Sequence, residues 1–239
     1  MTSWLPVPEG SPFPVENLPY GVFSRGDEDP RVGVAVGDHV IDLAPLAAVE
    51  GLDSGYVFEE ASLNPFMALG RSTWASVRSW LTELLTVEAD RDLVESHLVP
   101  RDDVQLHLPF EVADYVDFYS SQHHAENVGR LFRPDAEPLT PNWRHLPIGY
   151  HGRAGTVVVS GTDIVRPSGQ RVLPGETNPS YGPSVRLDIE AEVAFVVGVG
   201  SAMGRPVGAG AFADHVFGVC LLNDWSARDL QAWEYVPLG

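Results

Sequence analysis

The stretch Val185 to Val197, V-R-L-D-I-E-A-E-V-A-F-V-V, constrains this chain most, because it puts three carboxylates on one side of a strand. At the two-residue period of extended chain, Val185, Leu187, Ile189, Ala191, Val193, Phe195 and Val197 share an apolar face. Asp188, Glu190 and Glu192 share the other face, which continues through Ala194 and Val196, so the acids are expected at the edge of a buried surface. Like charges crowded there repel, and a cation relieves them. The plainer alternative is an ordinary half-exposed sheet face. Two further acids lie where a metal site would want them. Asp224 directly follows an apolar strand predicted over Val216 to Leu222, and Asp117 sits in the aromatic segment Tyr115-Val-Asp-Phe-Tyr119. Reactive groups concentrate at such strand and loop ends.

The chain has 239 residues, 44% of them hydrophobic, enough for one large domain or two smaller ones with real cores. Its formal charge is -18, from 15 basic residues, all Arg, against 33 acidic ones. Such a field repels phosphate backbones and anionic bilayers, so no nucleic acid and no membrane partner is expected. The lone Cys220, inside the apolar run Val219 to Leu222, cannot form an internal disulfide and reads as a core thiol of a cytoplasmic protein. No segment nears the roughly 18 apolar residues of a membrane span, and the N-terminus lacks the pattern of an export signal.

Along the chain, a Pro-rich opening leads to strands at Tyr20 to Ser24, Arg31 to Val36 and His39 to Leu43, the last two joined by a tight turn at Gly37-Asp38. From a cap at Ser72, Trp74, Val77, Leu81, Leu84 and Leu85 follow helical spacing to about Thr86. Val104, Leu106 and Leu108 alternate as a strand closed by Pro109, which places a domain boundary near residue 110. Ser121 can cap a helix to about Phe132 that stacks His124, Val128 and Leu131. Residues Pro141 to Gly155 read as an ordered loop, Thr156 to Ser160 as a strand and Gly161 to Ser184 as mostly loop. A last helix is expected to start at about Ser226 in the final segment, Asn223 to Gly239.

Asp117, Glu190, Glu192 and Asp224 offer only oxygen ligands, which suits Ca²⁺ or Mg²⁺ and not Zn²⁺. His124 lies seven residues after Asp117, close enough in sequence to face a water near such an ion as a general base; His123 is its rival. Arg228 and Gln231, on one face of the last helix, can donate to a developing oxyanion. The competing view has Ser226 and Asp229 capping that helix and Arg228 pairing with an acid. Tyr119, Arg133 and Tyr150 are further polar groups able to orient a small anion.

Most of these residues fall within longer motifs: Leu18-Pro-Tyr-Gly-Val-Phe-Ser24, Asp117-Phe-Tyr-Ser-Ser121, His124-Ala-x-Asn-Val-Gly129, Pro141-Asn-Trp143 and His145-Leu-Pro147. Gly149-Tyr-His-Gly-Arg153, Glu190-x-Glu192, and Asn223-Asp-Trp-Ser-Ala-Arg-Asp229 through Trp233-Glu-Tyr-Val-Pro-Leu-Gly239 complete the set. With them the chain resembles the fumarylacetoacetase (fumarylacetoacetate hydrolase) family over almost its whole length.

The resemblance implies a mainly β, α+β fold: an SH3-like N-terminal β-barrel domain over 1–109 and the first part of a mixed β-roll over 110–239, in a homodimer. It implies that Asp117, Glu190, Glu192 and Asp224 hold Ca²⁺ or Mg²⁺, and that His124 rather than His123 activates water. Arg228 and Gln231 would stabilise the oxyanion, and Tyr119, Arg133, Tyr150 and Tyr235 would contact substrate. The implied reaction is hydrolysis of the C–C bond of 4-fumarylacetoacetate to fumarate and acetoacetate, the last step of tyrosine and phenylalanine catabolism. It further implies a chain running past Gly239, where a Lys and a Glu complete the site, so that these 239 residues are an amino-terminal portion with reduced or no activity.

Two other functions compete. An acylpyruvate hydrolase, or a related 2-keto acid hydratase or decarboxylase, uses the same acidic set but usually lacks the N-terminal domain, so the motifs before residue 110 argue against it. A non-catalytic acidic module that binds Ca²⁺ for structural reasons needs the carboxylates and not His124.

Overall fold

The computed structural model describes residues 3–146 and 148–235, and the chain divides into two compact units. One comprises Met1–Pro109 together with Ser160–Gly239, the other Phe110–Val159. Helices and antiparallel sheets both contribute, so the class is α+β.

In the first unit, β1 (Tyr20–Ser24), β2 (Arg31–Val36) and β3 (His39–Asp42) form an antiparallel meander. Val36 pairs with His39 across the expected two-residue turn, where Gly37 takes the positive φ of 54° that such turns need. Asp42, buried at the end of β3, accepts two hydrogen bonds from Arg31 Nε, at 3.0 and 2.9 Å. Bonding to Asp42 holds the Arg31 guanidinium above its ordinary value although burial opposes its charge.

The helices α1 (Leu43–Glu50), α2 (Asn64–Ala68), α3 (Arg71–Thr86) and α4 (Arg91–Glu95) come next. In α3 the expected apolar stripe is the buried one: Trp74, Val77, Leu81, Leu84 and Leu85. Its N-cap is Gly70 and not Ser72, no side chain caps it, and its first helical bond runs from the Trp74 amide to the Gly70 carbonyl. The short β4 (Leu98–Pro100) pairs with β3, and β5 (Gln105–His107) with β1, giving the sheet order β4-β3-β2-β1-β5. Among the described residues this sheet is open rather than a closed barrel. Three residues of 3-10 helix, Arg101–Asp103, separate β4 from β5, and each edge strand has only three residues with which to pair.

The second unit holds β6 (Val116–Phe118), α5 (Gln122–Phe132) and β7 (Gly149–His151), with β6 and β7 antiparallel. Ser121 caps α5 as its position predicts, accepting from the His124 amide at 3.4 Å. Thr156 to Ser160 is not a strand: a 3-10 turn, Ala154–Thr156, ends there, and among the described residues no strand pairs with 157–160.

Back in the first unit, the span expected as loop contains an antiparallel ribbon of β8 (Ser168–Arg171) and β9 (Ser180–Pro183). A second, longer ribbon joins β10 (Leu187–Val197) to β11 (Val216–Ala227), the latter preceded by the short helix α6 (Phe212–His215). β11 runs five residues past the predicted end at Leu222, because its backbone stays paired with β10 as far as Leu187 opposite Ala227. Asp224 therefore lies within a strand and not after one. The last helix, α7 (Arg228–Glu234), starts two residues later than predicted, and Tyr235 is its C-cap. Ser226 does not cap it: Ala227 holds the cap position, and no side chain bonds there as a cap.

Phe217 of β11 anchors this ribbon, its ring 5.2–5.7 Å from those of Tyr20, Phe66 and Trp74. Cys220 is exposed and not a core thiol; its strand belongs to a ribbon of two strands, β10 and β11, among the described residues. Partial burial still pushes its thiol upward. All strand pairings among the described residues are antiparallel, so the ribbons form no mixed sheet.

Candidate functional site

Antiparallel register decides which side chains share a face of the β10–β11 ribbon, since directly opposed residues point the same way. Asp188 stands opposite Ser226, Glu190 opposite Asp224 and Glu192 opposite Leu222. The strand alternation read from sequence thus holds, and Asp224 joins the acidic face. That face is half-buried at Glu190, Glu192 and Asp224, whereas the apolar residues of the other face are mostly exposed. A carboxylate oxygen of Glu192 lies within 4.8 Å of one of Asp224. Two oxygens each about 2.4 Å from a common ion can stand that far apart, so the donor type and spacing fit a hard divalent cation.

Glu190 has other partners. Arg228 NH2 meets its Oε1 at 2.9 Å, and the Ser226 hydroxyl donates to its Oε2 at 3.4 Å. The same guanidinium reaches Asp188 Oδ2 from Nε at 3.0 Å and donates from NH1 to Gln231 Oε1 at 3.2 Å. The bond from Arg228, helped by the Ile189 amide, holds the Asp188 carboxyl below the usual range. For Arg228, burial opposes the charge, and Glu190 and Asp188 outweigh it, so the guanidinium is held above its ordinary value. Arg228 and Gln231 are therefore neighbours on α7, joined to each other and to the acidic ladder. Tyr235 lies at the end of α7, exposed.

In the second unit, β6–β7 register places Asp117 opposite Tyr150, and the Tyr150 hydroxyl donates to Asp117 Oδ2 at 2.6 Å. Sequence spacing gives these two residues unrelated roles; the structure makes them a pair. Tyr119 comes just after β6 with its ring edge-on to Trp143, centroids 6.4 Å apart, and both line a shallow concavity with Arg144 and His145. His124 sits in the first turn of α5 and is exposed, as is His123. Arg133, at the end of α5, donates from NH2 to the Pro138 carbonyl at 2.9 Å. Asp114 and His151, which sequence reasoning missed, approach to 3.1 Å. Asp114 lies two residues before β6, and His151 stands opposite Val116 at its start, a proximity that sequence spacing does not signal.

Known proteins supply the next observation. Residues 16–109 match the family model "Fumarylacetoacetase N-terminal", and residues 114–239 match "Fumarylacetoacetate (FAA) hydrolase C-terminal". Curated fumarylacetoacetases are similar throughout: that of Homo sapiens is 48% identical and that of Rattus norvegicus 47%, each over 99% of this chain. The protein of Caenorhabditis elegans is 47% identical over 100% of it. The chain spans 59% of the human and rat sequences and 60% of the nematode one. A solved fumarylacetoacetate hydrolase from psychrophilic Exiguobacterium antarcticum superposes with a TM-score of 0.46 and 17% identity, over 90% of this chain and 58% of that one. That likeness is too weak to bear on the site.

Proposed function

Since the chain belongs to the fumarylacetoacetate hydrolase family, we propose that the whole protein hydrolyses the C–C bond of 4-fumarylacetoacetate to fumarate and acetoacetate. The reading is carried by one observation: Glu192 and Asp224, remote in sequence, bring carboxylate oxygens within common reach of a divalent ion. The similar proteins named fumarylacetoacetase narrow the substrate.

In this reading Asp117, Glu192 and Asp224 hold Ca²⁺ or Mg²⁺, with Glu190 as a fourth oxygen donor shared with Arg228. When bound, the ion supplies Lewis acidity to the oxygens of a 1,3-dicarbonyl substrate. His124 takes the proton from the attacking water as its general base. Arg228 and Gln231 donate to the oxygen that gains negative charge as water adds. Tyr119, Arg133, Tyr150 and Tyr235 orient the substrate. The Tyr150 hydroxyl, bonded to Asp117, also fixes a ligand carboxylate. The function belongs to a cytoplasmic homodimer with a first domain over 1–109 and a β-roll from residue 110, acting in tyrosine catabolism.

Assaying the whole protein on fumarylacetoacetate and on an acylpyruvate, with the divalent ion added and chelated, tests this. Fumarylacetoacetate should be the better substrate and chelation should abolish turnover. His124→Ala should lower the rate about a hundredfold or more while leaving divalent-ion affinity within about twofold. A rate unaffected by His124→Ala, with the ion still bound, would leave a structural Ca²⁺ module as the better description. The 239-residue chain alone should turn over far more slowly than the whole protein.

A further inference from the structure

Asp229 is the one carboxylate in α7's first turn that the proposed chemistry leaves unused, and together with Asp42 it is among the few buried ones described. A buried carboxylate persists as the anion only where donors replace its water. Here Ser184 Oγ donates to Oδ1 at 2.5 Å and the Val185 amide to Oδ2 at 2.9 Å, with Arg171 Nε 3.8 Å from Oδ2. Burial works against the charge, but the Ser184 hydroxyl and the amides of Val185, Asp229 and Leu230 outweigh it and hold the carboxyl low.

Ser184 is itself fully tied. Its amide bonds the Pro167 carbonyl at 2.8 Å, its carbonyl accepts from Arg166 at 2.9 Å, and its hydroxyl accepts from the Arg186 amide at 3.3 Å. On the other side of the junction, the Arg228 amide bonds the Arg186 carbonyl at 3.0 Å. Residues 228 and 229 are thus pinned to residues 184–186, immediately before β10. The seven-residue α7 needs such support, since a helix that short, without a side-chain cap, has little stability of its own. The β8–β9 ribbon completes the base: Leu230 packs on Gly169, and Trp233 Nε1 donates to Gln170 Oε1 at 3.2 Å.

We infer that Asp229 is a positioning residue, whose carboxylate, gripped by Ser184 and Val185 and backed by Arg171, sets where α7 presents Arg228 and Gln231. This rests on the reading of those two as oxyanion donors. Donors aimed at a developing charge lose most of their effect when displaced by about an ångström.

The test is a double-mutant cycle on hydrolysis of fumarylacetoacetate by the whole protein, reading kcat and KM separately. Asp229→Asn should lower kcat at least about tenfold, with KM and divalent-ion affinity within about twofold. In an Arg228→Ala background it should add less than about twofold, because the group it positions is gone. An unchanged kcat for Asp229→Asn, or a loss that multiplies in full with that of Arg228→Ala, overturns the inference and leaves the proposed function standing. An unchanged kcat for Arg228→Ala overturns the oxyanion assignment itself. If Asp229→Asn does not fold, Ser184→Ala keeps the charge and removes one donor. It should show the same non-additive pattern at about threefold, and full multiplication with Arg228→Ala overturns the inference equally.

Discussion

The β1–β5 sheet and the β10–β11 ribbon are written in the same alternating code and end in opposite environments. Phe23 of β1 is 1% exposed and Phe195 of β10 is 58% exposed. The first sheet is covered: α1 and the 3-10 helix Gly55–Phe58 pack on β2, and the Arg31–Asp42 pair lies against the Phe23 ring. On the ribbon the relation is inverted, with Val193, Val219 and Leu221 open to solvent and the carboxylates half-buried. Alternation tells which residues share a face. It does not tell which face something else will cover, because that depends on elements distant in sequence.

The contrast is open to direct attack. The largest effect expected is from Phe23→Ala, which removes a fully buried ring and should cost about 3–5 kcal/mol, whereas Phe195→Ala should cost less than about 1 kcal/mol. Denaturant unfolding of the 239-residue chain measures both, and equal costs would mean that the ribbon's apolar face is covered in solution. Next come two glycines. A Cβ on Gly33 would stand 2.6 Å from Val40 Cγ1 and 2.7 Å from the Phe23 ring, so Gly33→Ala should destabilise by about 1–3 kcal/mol. Gly218 of β11 has nothing within 4 Å of that position, and Gly218→Ala should stay within about 0.5 kcal/mol. Comparable melting temperatures for the two variants would erase the distinction.

The smallest effect expected is a matter of pH. Asp229 is held below its ordinary value, so its contribution is complete above the unfolded-state pKa near 3.9 and is lost as pH falls through the lower folded value. Asp229→Asn should therefore flatten the decline of melting temperature below about pH 4 and shift stability by a constant amount above it. A decline as steep as that of the parent chain would show that the carboxylate contributes nothing as an anion.

Whatever rests on local periodicity could be read before any coordinates. The α3 stripe from Trp74 to Leu85, the turn at Gly37-Asp38, the Ser121 cap and the acidic face of β10 are all set by neighbours within a few residues. The misreadings have separate causes. Pairing with β10 carries β11 on from Leu222 to Ala227, α3 starts locally at Gly70 so that Ser72 lies inside the helix, and Cys220 lies on a strand whose face is left exposed. The β8–β9 ribbon escaped notice because S-G-Q-R and S-Y-G-P carry almost no apolar alternation.

Residue chemistry alone pointed to oxygen-only donors that could hold a cation, and motif similarity pointed to the family. Only tertiary structure decided that Asp224 stands across from Glu190, that Arg228 claims Glu190 and Asp188, and that Tyr150 bonds Asp117. It also decided that Leu18, fully buried, takes a φ of 41° that a leucine seldom adopts. The physical reason is common to all of these: ion pairing, cross-strand register and burial act between groups close in space, and sequence spacing limits that closeness only within a turn of helix or a tight hairpin.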